Sequence, residues 1–211
     1  MTVYTAGDIA DMEKRFRANF INSISGFKSA NLIGTVNQNG ETNLAVFSSV
    51  VHIGADPPLI GFIMRPISVE RHTYQNIISK GLYTINALPF AMKKDGHKTS
   101  AKFHDGASEF DETAFSARMN DFGVPVVAES AVALTCELRS DQLLEVNKTR
   151  LIIGEIKEVQ LNPTFLQSDG FYDLAKAGVT VISGMDSYHS AEDGIRFSYA
   201  KPDQEITTLT E

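Results

Sequence analysis

A single cysteine, Cys136, serves all 211 residues, so no internal disulfide can form and no Cys-x-x-Cys redox or metal pair exists. Its place in the β-like run AVALTCELR, with no activating partner nearby, reads as a buried structural thiol rather than a nucleophile. The five histidines, His52, His72, His97, His104 and His189, occur singly and never at His-x-x-x-His spacing, so no metal site is expected. There is no G-x-S-x-G elbow for a serine hydrolase, no G-x-G-x-x-G dinucleotide fingerprint and no phosphate-loop pattern. No apolar run is long enough to span a bilayer. The start, MTVYTAGDIADMEKRF, lacks a basic stretch followed by an apolar one, so a cytoplasmic location away from the membrane is the expectation. Net charge is −7, which argues against a general nucleic-acid surface. An anionic ligand would then need a local basic pocket, because the global field does not help it.

The hydrophobic fraction of 43% and charged fraction of 21% suit a globular chain long enough to bury a sizeable core. Repeats, low-complexity tracts and linkers are missing, so residues 1–211 read as a single domain. Ile9 to Ile21 reads as an amphipathic helix with Met12, Phe16 and Phe20 at helical spacing. Asn31 to Val36 suits a strand, and Asn39-Gly40 is a tight-hairpin signal. ETNLAVFSSVVHIGADPP reads as a second strand that ends in a Pro-rich turn, and Leu59 to Met64 as a buried third. Pro66 breaks that run, and Ser68 offers a cap for a helix starting near Val69. Gly81 ends this helix before a short strand, Leu82 to Ala87.

From Pro89 to about Val124 the chain is polar and carries several glycines, which predicts an insertion or lid over a site. The acidic pairs Glu109/Asp111 and Glu192/Asp193 read as solvated loop charges. Ala131 to Arg139 and Leu151 to Val159 are two further strands joined by a polar stretch, and the polar tail ends in about eight residues without structure. Between the third strand and the helix after it, Arg65, Arg71, Lys28 and the hydroxyls of Ser68 and Thr73 gather around free helix N–H groups. That is chemistry for a phosphate, although an ordinary capped surface helix with solvated charges fits the same residues.

The ordered set SGFKSANLIGT, NGETNLAVFSSVVHIGADPPLIGFIMRP, SVERHTYQNI, YTIN, HKTSAKFHDGASEFDETAF, TRLIIGEIKEV and VTVISGMDSYHSAEDGIRFSYAKP resembles the flavin reductase-like family from about Ser25 to Pro202. The resemblance implies a mainly β (α+β) fold: a six-stranded, Greek-key, FMN-binding split β-barrel with helices outside. It further implies a homodimer with FMN near the subunit boundary. By the same resemblance Asn43, Ala45, Phe47, Ser48 and Ser49 lie beside the flavin ring and ribityl chain, and Arg65, Ser68, Arg71, His72 and Thr73 gather at its phosphate. Lys28, Ser29 and Ala30 pass the flavin just before the first barrel strand. His97 and Ser100, in HKTSAKF, sit on a loop that reaches either the flavin or a nicotinamide; a loop histidine bonded to a carbonyl is the alternative. The implied activity is hydride transfer from NAD(P)H to flavin and onward to a small-molecule electron acceptor, with no protein residue as catalytic acid or base. An FMN-binding or electron-transfer protein without NAD(P)H turnover is the alternative, as is a barrel that has lost its flavin.

Overall fold

The computed structural model describes residues 1–103 and 106–209; His104 lies outside them. Two helices come first, α1 (Ala6–Asp11) and α2 (Lys14–Ile24), where one helix over Ile9 to Ile21 was expected. The break has a local cause. Thr5 and Asp8 close a capping box on α1, and the Glu13 carboxylate accepts from the N–H groups of Arg15 and Phe16, starting a new helix two residues after the first ends.

The strands that follow are β1 (Lys28–Ser29), β2 (Asn31–Val36), β3 (Thr42–Phe47), β4 (Val51–Ala55) and β5 (Pro58–Met64). Helix α3 (His72–Lys80) leads through Gly81, at φ 71°, into β6 (Leu82–Ala87). Short helices α4 (Lys93–Lys98) and α5 (Glu109–Glu112) precede the small ribbon of β7 (Ala117–Met119) and β8 (Pro125–Val127). The long hairpin β9 (Val132–Leu144) and β10 (Thr149–Leu161) and the pair β11 (Thr180–Ser183) and β12 (Ser187–Ser190) complete the chain.

The main sheet has seven strands in the order β3-β2-β6-β9-β10-β5-β4, all neighbours antiparallel. Its two edge strands, β3 and β4, are consecutive in the chain and separated only by Ser48 to Val50. Three residues cannot cross the width of a flat seven-stranded sheet, so the sheet is rolled until its edges meet. The run expected to be one strand, ETNLAVFSSVVHIGADPP, is therefore two. Counted as one bent strand it gives the expected six; hydrogen bonding divides it between both edges. At the bend the Ser49 hydroxyl donates to the Ile63 carbonyl (3.0 Å) and accepts from the Ile63 N–H (3.1 Å), which ties the closing segment to β5.

Strand alternation sorts side chains to either side of the rolled sheet. Ile33, Phe62, Met64, Tyr83, Ile85, Cys136 and Ile152 converge inside, with Ile77 of α3 and the Phe47 ring packed against them. Cys136 is buried there and its thiol is pushed up to about 12 by burial, in keeping with a structural role. Gly154 is required in this interior, since a Cβ there would collide with the Tyr83 hydroxyl. Leu32 and Leu44 point to the outer face, where Leu88, Phe110, Phe115, Val127 and Ile182 cover them. The segment expected to be a lid thus supplies buried core through Phe110 and Phe115. At the other end of the chain the tail folds back: Leu209 N–H donates to the Arg196 carbonyl and Ser198 N–H to that of Thr207, so the expected loss of structure does not hold up to Leu209. Among the described residues, no helix is long and apolar enough to cross a membrane.

Candidate functional site

Beyond Met64 the chain leaves the barrel through Arg65 and Pro66 and enters α3 at His72, later than the start expected near Val69. Ser68 is exposed in a bend and does not cap the helix. Arg71 holds the cap position, extended (φ −140°, ψ 98°), and among the described residues no side chain caps the first-turn N–H groups. They stay open to a ligand. Arg71 Nε instead donates to the Pro66 carbonyl (3.1 Å), folding the guanidinium back over the loop. Burial, and then the Arg65 charge close by, push the Arg71 guanidinium below its usual range. Neither arginine forms an ion pair with a carboxylate among the described residues. Two cations held together beside an uncapped helix start have the chemistry of a candidate anion site on an acidic protein.

This helix start is fastened to β3. Asn43, 8% exposed, donates from Nδ2 to Thr73 Oγ1 (3.1 Å), and Asn76, one turn later, donates to Thr35 Oγ1 (3.0 Å) on β2. The other side of α3 is fixed by Tyr74, whose hydroxyl donates to Asp141 (2.8 Å) while Arg150 grips the same carboxylate at 2.6 and 2.8 Å.

Along β3, Asn43, Ala45 and Phe47 share the inward face, and the Phe47 ring stands edge-on to Phe62 at 5.1 Å. Their backbone groups pair with Thr35, Ile33 and Asn31 of β2. Leu44 N–H points the opposite way, to Glu109 Oε2 at 2.8 Å, so the alternation of an antiparallel ladder also turns Thr42 and Val46 outward at the free edge. The Val46 peptide has no backbone partner there among the described residues, and residues 45–50 are all half-buried. An edge able to give and accept hydrogen bonds thus runs toward the anion site.

Glu109 is the residue that sequence reading missed. It lies at the start of α5, only 8% exposed, where a solvated charge was expected. Burial raises its pKa; the Leu44 N–H, its own N–H and the nearby His72 charge oppose the rise without cancelling it. Nothing in the local sequence ASEFDE distinguishes it from its solvated neighbours except Phe110 beside it.

The remaining expected residues divide. Lys28 Nζ is bound to the Asn22 carbonyl (2.9 Å) and Ser25 Oγ (2.8 Å) at the end of α2, and Ser29 Oγ accepts from Asn31 Nδ2 (2.8 Å). Ala30 is fully buried with its N–H on the Thr180 carbonyl and its carbonyl on the Leu88 N–H, so it offers no surface to a ligand. His97 lies on α4, which packs against β3. Its Nδ1 meets the Tyr188 hydroxyl of β12 at 3.1 Å rather than a carbonyl, and Ser100 Oγ donates to the His97 carbonyl at 2.7 Å. Tyr188, half-buried with its hydroxyl pKa raised by burial and then by Asp186, is a second residue not singled out from sequence. Among the described residues no group of three or more His, Cys, Asp or Glu side chains is placed to hold a metal.

Residues 24–174 match the family model of the flavin reductase like domain. The crystal structure of an inferred flavin reductase with split barrel domain from Shewanella frigidimarina NCIMB 400 is 43% identical, with a TM-score of 0.91, covering 95% of this chain and all of that one. Nitrilotriacetate monooxygenase component B from Bacillus cereus (16% identity, TM-score 0.80, 93% and 98% of the two chains) has the same fold. So does an FMN-binding protein from Thermus thermophilus solved with 1-cyclohex-2-enone (17%, 0.73, 95% and 100%). The chain therefore has the split-barrel fold of the flavin reductases, mainly β with outer helices.

The raised pKa of Glu109 has a measurable consequence. A carboxyl that binds its proton more tightly folded than unfolded contributes stability that is full below the unfolded value, 4.5, and is lost as pH rises through the folded one. Denaturation midpoints of the wild type followed upward from pH 4 should show that loss, and Glu109→Gln, which cannot ionise, should flatten it. Parallel profiles would contradict the burial of an ionisable Glu109.

Proposed function

We propose that this chain, which belongs to the flavin reductase-like domain family, is an FMN-dependent oxidoreductase, most simply an NAD(P)H:flavin reductase. The observation that carries the reading is the pair Arg65 and Arg71, without carboxylate partners among the described residues, beside the uncapped start of α3. The phosphate of FMN answers this arrangement: Arg65 and Arg71 supply charge, and the open first-turn N–H groups of α3 supply donors. The Asn43–Thr73 bond keeps those donors in register with β3, whose outward edge at Val46 and half-buried Ser48 and Ser49 border the flavin ring.

FMN, when bound, accepts hydride from a nicotinamide and passes electrons onward. The protein's part is to bind, orient and keep water from the reacting face, with no residue acting as a general acid or base. The contact of His97 with Tyr188 on the α4 side of β3 supports giving it the nicotinamide amide as its partner in this reading. In a single chain this surface stays open, and two cavities, of about 350 and 370 Å³, lie elsewhere: at the folded-back tail, and between the end of α3 and β9. A second copy closing over β3 fits the open site, and Phe16, Ile24 and Phe27, 58%, 63% and 69% exposed, offer apolar area for a homodimer.

Three measurements test this reading. Arg71→Glu should weaken FMN by about tenfold or more relative to riboflavin, since it removes a charge-assisted contact to the phosphate; an unchanged ratio would take Arg71 out of the phosphate site. Anaerobic NADH or NADPH should bleach the bound flavin, and oxygen or added flavin should restore the colour, with His97→Ala slowing the bleaching at near-normal FMN affinity. Bound FMN that neither nucleotide bleaches would point to the electron-transfer alternative. Sedimentation should give twice the chain mass, and a monomer with full FMN affinity would refute a shared site.

A further inference from the structure

Helix α5 meets the free edge of β3 through its first turn. Ser108 Oγ, which caps the helix through the Phe110 N–H, also lies 2.8 Å from Thr42 Oγ1; the next residue, Glu109, takes the Leu44 N–H at 2.8 Å. The first contact joins side-chain hydroxyls and the second takes a backbone N–H; they fall on two successive outward positions of the strand and stop short of the third, Val46, about 7 Å beyond Leu44 along the edge. The helix cannot drift from this docking. Thr113 Oγ1 donates to the Glu109 carbonyl (2.7 Å), Asp95 of α4 accepts the Ala114 N–H (3.1 Å), and Lys98 of α4 donates to the Glu112 carbonyl.

A carboxylate buried against Leu44, whose cluster includes Phe110 and Phe115, is costly, and packing alone would favour an apolar side chain. What it supplies is an acceptor for a strand amide that would otherwise be buried without one. We propose that Glu109 is a positioning residue for the flavin ring: its carboxylate takes the place of a neighbouring strand at Leu44 and leaves the Val46 peptide as the open hydrogen-bonding unit beside it. An edge strand with several open peptides would let a flat ligand bind in more than one register along it. Closing the Leu44 position removes that freedom and fixes how far the ring lies from the anion site at α3. The proposal rests on the FMN reading given above.

The test compares three variants of the full chain. Glu109→Ala and Glu109→Leu both lack the acceptor, the second without leaving a void, and Glu109→Gln keeps a carbonyl oxygen in place. FMN and riboflavin should both bind the Ala and Leu variants about tenfold more weakly, because a ring contact is common to the two ligands, and the visible circular dichroism of the bound flavin should change. The Gln variant should restore affinity to within about twofold together with the wild-type spectrum. Amide exchange without flavin should show Leu44 protected and Val46 open in the wild type, with Leu44 losing protection in the Ala and Leu variants. A folded Ala or Leu variant with wild-type affinity and spectrum would overturn the proposal, as would a Gln variant that behaves like them or a loss confined to FMN. A wild-type chain that binds neither flavin would overturn the functional reading and this proposal with it, whereas flavin binding indifferent to Glu109 overturns the proposal alone.

Discussion

Three residues, Ser48 to Val50, join the two outer strands of a seven-stranded sheet, and the rest of the architecture depends on that short span. To satisfy it the sheet must roll, which puts Ile33, Phe62, Tyr83, Cys136 and Ile152 in a shared interior and leaves a seam where β3 and β4 do not pair. Ser49 makes the turn affordable by bonding both backbone groups of Ile63 through one hydroxyl. The seam is also why a strand with open backbone groups exists in a barrel at all, since a fully paired barrel would have no edge to offer.

Much of this was legible where local patterning and tertiary demand agree. Asn31–Val36 and Leu82–Ala87 form the strands that their composition predicts, and Gly81 takes the left-handed conformation that ends α3. The failures share a cause: a tertiary contact outweighs a local signal. NLAVFSSVV is β-prone throughout, so nothing short of the sheet order shows that it belongs to two edges. Ser68 is an adequate cap by type, but Arg71, turned back onto Pro66, sets the helix start instead. Glu109 was read as solvated because its partner, the Leu44 amide, is 65 residues away. Ala30, which the family resemblance sets beside the flavin, has its backbone consumed by pairing with Thr180 and Leu88 and its side chain closed in, and sequence shows neither partner.

Electrostatics follow the same division between surface and site. The net charge of −7 repels a phosphate at long range, yet screening confines that repulsion to about 8–10 Å at physiological salt. At contact distance the proposed basic pair would outweigh it, and its surroundings are themselves anchored: Arg71 by Pro66, and α3 by the Asp141 carboxylate shared between Tyr74 and Arg150. Exposed ion pairs such as Lys148 with Glu145 contribute little to stability. The Asp141 cluster, partly buried and bidentate, is the pair whose geometry governs where α3 points.

The proposed site would combine two kinds of recognition that tolerate different errors. Charge attraction from Arg65 and Arg71 weakens slowly with distance and can hold a phosphate despite small shifts of a long side chain. Hydrogen bonding at a strand edge is directional and is lost with a few tenths of an ångström or a few tens of degrees. The flexible side chains accordingly stand at the proposed anion end, while the edge is built from backbone held on one side by β2 and on the other by Glu109, with Ser108 bonded to the Thr42 hydroxyl. The Asn43–Thr73 bond joins the two halves, since it ties a residue of the edge strand to the second residue of α3. A change that slides β3 against α3 would therefore disturb both ends of a ligand at once, even where it leaves each half intact.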